Sequence, residues 1–295
     1  MRIVKENARV RVPATSGNLG SGFDCLGMAH DLWDEVFVSL TTGPTRVTVL
    51  GEGKDTVPRD ESHLIITVIN DSLDKLGLPR AGLDLICRNH IPHGRGLGSS
   101  AAAVVAGIML VRGIIDQPEV LDDKTVLELA TSYEGHPDNA APCIYGGATL
   151  SWVEGKEINT VQLPVSEKIH TTLLVPQEVL STAAARTALP EKVPHTDAVF
   201  NLSRAALLVH ALEHRPDLLF SATADRLHQN YRAEQMPHSA DLLAALRKAG
   251  WPAVVSGAGP TLLLFAEVPD ALARTISEQG FTLISSRPAA GAQLL

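Results

Sequence analysis

Residues 91–110 read IPHGRGLGSSAAAVVAGIML, a glycine-rich loop that passes directly into a helix of small residues. A short strand, Leu83 to Cys87, precedes it. In a strand–loop–helix unit the first helical N–H groups lack intrahelical partners, and the positive end of the helix dipole points at the same spot. Such a spot favours an anion, usually phosphate. Gly94, Gly96 and Gly98 let backbone approach a bulky polyphosphate because no Cβ intervenes. Ser99 and Ser100 add hydroxyls able to reach a phosphate oxygen or a magnesium ion. No Gly-Lys-Ser/Thr follows, so the loop is not a P-loop, and Arg95 is its only cation. Nor is it the dinucleotide fingerprint, which needs an acid about 20 residues on. The competing reading is a tight turn, with Ala101 to Ala103 serving close helix packing.

On either side of this unit the chain alternates short strands and helices. Ala8, Val10 and Val12 alternate with Arg9 and Arg11, as a half-buried strand requires, and Val36, Val38 and Leu40 repeat the period. A helix is expected over His63 to Leu76, stopped by Gly77, and another from Asp123 to Tyr133, capped by Asp122 or Asp123. The second half begins near Pro164 with the strand IHTTLLVPQ. Helices are expected over Thr196 to Glu213, Asp217 to Leu227 and Ala240 to Ala249. AVVSGAGPTLLLF reads as two strands around a glycine turn, followed by a helix from Asp270 to Glu278 and the strand FTLISS. Setting the extra helices aside, the order strand, helix, strand, strand, helix, strand is the split βαβ arrangement of ferredoxin-like domains. The fold class is therefore α+β, with domains expected at 1–163 and 164–295, in keeping with a length of 295 residues.

Composition narrows the function. The chain carries 25 Lys and Arg against 33 Asp and Glu, a net charge of -8, with no basic stripe to neutralise a phosphate backbone, so nucleic acid is excluded as a partner. Three widely spaced cysteines, Cys25, Cys87 and Cys143, suit reduced thiols rather than a disulfide framework. MRIVKENARVRV has no signal-type apolar core, and the apolar run Ala101 to Ile115 is too short for a bilayer, so a cytoplasmic location and no membrane contact are expected. Cys87, His90 and His93 recur at metal-like spacing, but a fourth ligand is missing and chance accounts for them.

Two further loops repeat the glycine-rich character. PATSGNLGSGFD (13–24) carries Asn18, Ser21 and Asp24, which are equally suited to turn capping. SGAGPT (256–261) lies between apolar strands and reads equally as a hairpin turn. Three such loops beside strands make a site assembled from both halves plausible. YEGHPDN adds charge. Glu134 ends a helix, where the dipole disfavours a carboxylate; a magnesium ion bridging phosphates would answer that, and a solvated acid on a frayed helix end is the competing reading. His136, Asp138 and Asn139 follow in a turn suited to holding a polar substrate or activating its hydroxyl, though His136 reads equally as a satisfied turn residue.

Together PATSGNLGSGFD, PHGRGLGSSAA and SGAGPT resemble the GHMP kinases, and EGHPDNAAP, STAAAR (181–186) and NYR (230–232) are similar to the homoserine kinase family within them. The resemblance covers essentially the whole chain. It implies an N-terminal ribosomal-protein-S5-domain-2-like domain, a ferredoxin-like C-terminal domain, and ATP with Mg2+ acting on L-homoserine. Pro92, His93, Gly94, Arg95, Gly96, Leu97, Gly98, Ser99, Ser100, Ala101 and Ala102 would wrap the ATP phosphates, with Ser100 and Glu134 holding the metal. Asn18, Asp24, His136, Asp138, Arg186 and Arg232 would line the amino-acid pocket, the arginines taking the carboxylate and the acids the ammonium. Asn139 would lie near the attacking hydroxyl, and Asp138 stays open between base and substrate ligand. A homodimer is compatible with the resemblance. The chain departs from the usual family wording at Gly17 (commonly Ala), Ser21 (commonly Pro) and Asn230 (commonly Pro), changes expected to loosen those loops.

Overall fold

The computed structural model describes residues 1–295. Its first half contains β1 (Asn7–Gly17), β2 (Leu26–Thr41), β3 (Arg46–Gly51), α1 (Leu64–Lys75), β4 (Gly82–Asn89) and α2 (Ser99–Ile114). These are followed by α3 (Asp123–Glu134), α4 (Ala140–Tyr145), β5 (Ala148–Glu154) and β6 (Glu157–Leu163). The second half runs through β7 (Thr171–Val175), α5 (Thr182–Thr187), α6 (His195–Glu213), α7 (Leu219–Ala222), α8 (Gln229–Arg232) and α9 (Pro237–Lys248). It ends with β8 (Ala253–Val255), β9 (Leu262–Leu264), α10 (Asp270–Glu278), β10 (Thr282–Ser286) and β11 (Gln293–Leu294). No helix is long and apolar enough to cross a membrane.

β1 and β2 form the spine of a seven-stranded sheet ordered β11-β1-β2-β4-β3, with β5 beside β2 and β6 beside β5. Val10 pairs with Val36 and Ala8 with Val38, so the alternating valines read from the sequence share the buried face. The register shifts between Pro13 and Ala14, where proline has no N–H for the ladder. α2 lies on this sheet against α1 and α3. Val104 to Val111 are buried on every side, as a helix apolar all round must be.

The second sheet has the order β10-β7-β9-β8 and is antiparallel throughout. Numbered by appearance this is 4-1-3-2 with helices in the two crossovers, the ferredoxin-like arrangement expected. Both faces are buried. Leu173, Val175, Val254 and Leu263 point into the large core shared with the first sheet. Their neighbours Leu174, Val255, Leu262 and Leu264 pack on Leu242, Leu246 and Ile276 of α9 and α10. The period of two thus sends each strand into two cores at once.

The helix expected over Asp217 to Leu227 does not form as one element. The Asp225 carboxylate accepts the backbone N–H groups of Leu227, His228 and Gln229, at 2.9, 3.1 and 2.8 Å, and this local competition turns the chain between α7 and α8. α9 starts earlier than expected, at Pro237, because proline fits the first helical position. The division expected after Leu163 falls between β6 and β7. The chain crosses back over it at β11, where Val10 pairs with Leu294 and Arg11 with Gln293, so these last residues belong to the first sheet. Cys87 points into the core while His90 turns to the Trp33 carbonyl, so the metal-like spacing gathers no ligand set.

Candidate active site

The three glycine-rich loops meet. Ser256 Oγ donates to the Gly96 carbonyl at 2.6 Å, the Gly257 N–H to the Gly17 carbonyl at 3.1 Å, and Asn18 Nδ2 to the Gly257 carbonyl at 2.7 Å. Ser16 Oγ lies 2.6 Å from Ser256 Oγ and 2.7 Å from Nε2 of the buried His30. Since the Ser256 proton goes to Gly96, Ser16 donates to Ser256 and accepts from His30. The hairpin turn of the second sheet is thereby fastened to both loops of the first.

Gly98 is the N-cap of α2, at φ 67° and ψ 22°, and no side chain caps the helix. Ala102 makes the first helical bond, to the Gly98 carbonyl, which leaves the N–H groups of Ser99, Ser100 and Ala101 without intrahelical partners. A Cβ at Gly98 would stand 2.0 Å from Thr15 Oγ1. Gly94, Gly96, Gly98, Ser99 and Ser100 line a cleft of about 140 Å³. Ser100 Oγ donates to Glu134 Oε1 at 2.6 Å, so both proposed metal ligands sit at its edge. Leu97 and Ala101 turn their side chains into the interior. Arg95 is committed elsewhere: its guanidinium donates to the carbonyls of Pro176, Gln177 and His93, tying the loop to the segment before α5.

A more apolar cleft adjoins the first through Ser99 and Ser100. It is lined by Val57, Pro58, Leu64, His93 and Ala102 among others. Beside the PHGRGLGSSAA loop, its walls Val57, Pro58 and Leu64 lie in segments without a motif.

The other side of the first cleft carries side chains. Asn18, Asp24, Glu134, His136, Asn139, Arg186 and Arg232 all line it. Asn18 and Asp24 hold left-handed backbone, φ 69° and 56°, which their short polar side chains tolerate. Asn18 Oδ1 accepts the Asp24 N–H at 2.9 Å, so Asn18 is both a turn residue and a wall of the cleft. Arg186 grips Asp24 with two hydrogen bonds, 2.7 and 3.2 Å. Arg232 is 2% exposed, and its guanidinium lies 5.5 Å from the centre of the Phe23 ring.

Asp138 stands one layer back, with a side chain 1% exposed. His136 Nδ1 and Asn139 Nδ2 donate to its Oδ1, while Thr15 Oγ1 donates to Asn139 Oδ1 at 3.0 Å. Asp138 therefore orients the two residues that face the cleft. Burial opposes the charge on His136, but the hydrogen bond and the charge of Asp138 outweigh it and raise its pKa.

The GHMP kinase N-terminal domain family matches residues 63–147 and the GHMP kinase C-terminal family residues 204–280. A homoserine kinase of Streptomyces avermitilis is 49% identical over 290 residues, covering 97% of this chain and 95% of its own. The chain belongs to the homoserine kinase family. A second family member, from Streptomyces coelicolor, is 50% identical over 89% of this chain and 85% of its own. The crystal structure of homoserine kinase from Cytophaga hutchinsonii superposes with a TM-score of 0.84 at 27% identity, covering 100% of this chain and 99% of that one.

Two departures from the usual homoserine kinase wording tighten contacts where looser loops were expected. Ser21 Oγ donates to the Ala222 carbonyl at 2.8 Å, a tie across the two halves that proline could not make. Gly17 lies against Asp138, and a Cβ there would stand 2.3 Å from Asp138 Oδ2. The missing methyl is the space that the carboxylate fills. Asn230 is exposed, on the outer side of α8.

Proposed function

We propose that this chain transfers the γ-phosphoryl group of ATP to the side-chain hydroxyl of L-homoserine, giving O-phospho-L-homoserine on the way to threonine. The observation that carries the reading is one cleft with an uncapped helix N-terminus at one end and two arginines with an aspartate at the other. The first suits a triphosphate and the second a zwitterion with a hydroxyl between them. The apolar neighbouring cleft suits the nucleotide base.

Phosphoryl transfer through a loose transition state asks the protein chiefly for positioning and charge neutralisation. The amides at the start of α2 hold the phosphates, and Asp24 and the two arginines hold the amino acid. Asn139, fixed by Thr15 and Asp138, sits beside the attacking hydroxyl. Asp138 acts through His136 and Asn139 rather than as the base, a reading supported by its place behind them. Ser100 and Glu134 offer the hard oxygen donors that Mg2+ prefers, and their side-by-side placement fits that ion. When bound, it supplies positive charge against the phosphate oxygens. The three free cysteines support a cytoplasmic location.

A coupled assay of ADP release tests the reading. ATP with homoserine should turn over, while ATP alone, or with mevalonate or galactose, should give background. Equal rates with and without homoserine would remove it.

A further inference from the structure

Resting on the assignment of Arg232 to the substrate carboxylate, we infer that His228 is a positioning residue that sets the direction in which Arg232 presents its guanidinium. His228 is fully buried and precedes α8, so Arg232 lies one turn on, at i+4. Its Nε2 is 2.8 Å from the Gly20 carbonyl, and its Nδ1 is 3.1 Å from Arg232 Nη1. A carbonyl only accepts, so Nε2 carries the proton. The neutral ring then has a lone pair on Nδ1, and that lone pair receives the Arg232 N–H. Gly20, in the first glycine-rich loop, therefore selects the tautomer that arginine needs.

The remaining contacts fix which end of the guanidinium is free. Arg232 Nε donates to the Ala185 carbonyl at 3.3 Å, and Nη1 also to the Gly257 carbonyl at 3.2 Å. Nη2 has no protein partner, and the residue borders the cleft. The His228 ring is stacked on Phe23, centroids 5.0 Å apart, and the same ring lies beneath Arg232. Burial holds His228 neutral, as an acceptor must be. His228 thus ties Arg232 to the first loop, and with Arg232's own bonds to α5 and the SGAGPT turn it leaves one outward N–H group to meet the substrate.

Two isosteric substitutions divide its bonds. Gln places an amide N–H where Nε2 was, so His228→Gln keeps the tie to Gly20 and removes the acceptor. Asn places an oxygen where Nδ1 was, so His228→Asn keeps the acceptor and gives up Gly20. Losing one hydrogen bond to a charged group should raise the homoserine KM of His228→Gln about tenfold, with kcat and the ATP KM within about twofold. His228→Asn should keep its homoserine KM within about threefold of wild type. Equal KM values in the two variants, or an unchanged KM in His228→Gln beside a lowered Tm, would overturn the proposal and leave only a structural role. Arg232→Lys separates the levels, because an unchanged homoserine KM there removes the carboxylate assignment itself. Independently of any variant, the 15N shifts of His228 in the wild-type enzyme must report the Nε2–H tautomer, and an Nδ1–H ring overturns the inference.

Discussion

The two ends of the cleft are built on opposite plans. The end assigned to phosphate is backbone: one continuous stretch, Gly94 to Ser100, offers N–H groups at the start of α2. The end assigned to the amino acid is side chain, drawn from Asn18 and Asp24, His136 and Asn139, Arg186, and Arg232. Two of its charges are already paired, Asp24 with Arg186. A zwitterion can exchange partners with that pair, its ammonium replacing the guanidinium and its carboxylate replacing the aspartate, with no net charge left unmatched. A backbone site tolerates changes of side chain but not an added Cβ. A side-chain site depends on the groups that hold its groups.

The difference is broken most severely at Gly98. Alanine there meets left-handed backbone and Thr15, together about 3 kcal/mol, so Gly98→Ala should lower kcat/KM for ATP roughly 100-fold while the homoserine KM moves little. An equal rise in both KM values would show the two ends to be one unit. Glu134→Ala should come next, raising the magnesium needed for half-maximal rate about tenfold at fixed ATP; an unchanged titration removes Glu134 as a ligand. Asp138→Asn tests the opposite end. It should raise the homoserine KM about fivefold and keep most of kcat at saturation, whereas a kcat loss of about a thousandfold would make Asp138 the base.

The smallest effect concerns His136. Its raised pKa means that its pairing with Asp138 stabilises the fold fully below the ordinary value of 6.5 and is lost as pH rises through the raised one. The Tm gap between wild type and His136→Asn should therefore shrink from about pH 6 to about pH 8. A gap that widens would contradict the pairing.

The same contrast explains what could be read from the chain before its structure. Gly94, Gly96, Gly98 and the serines announce themselves because a backbone site is written in consecutive residues. The valine alternation of β1 and β2 and the helix ends at Gly77 and Glu278 were equally legible, since periodicity and caps are local. Glu134, His136 and Asn139 were visible as an unusual turn, but their convergence with Arg186 and Arg232 came only through resemblance. His228 and Thr15 carried no signal, because a partner's partner is defined by tertiary contact alone. Asp225 misled: it reads as one more polar residue in a helix, and its three backbone hydrogen bonds end that helix.

The strand at Gln293–Leu294 has a consequence for biosynthesis. Arg11 meets Gln293 across 282 positions of chain, through hydrogen bonds of 2.9 and 2.6 Å. During translation the β1 edge therefore stays open until residues 293 and 294 have emerged from the ribosome, and so long-range a contact is slow to form. The nascent chain carries an unshielded strand that contains Arg9 and Arg11, whose charges discourage pairing with a neighbouring copy while it waits.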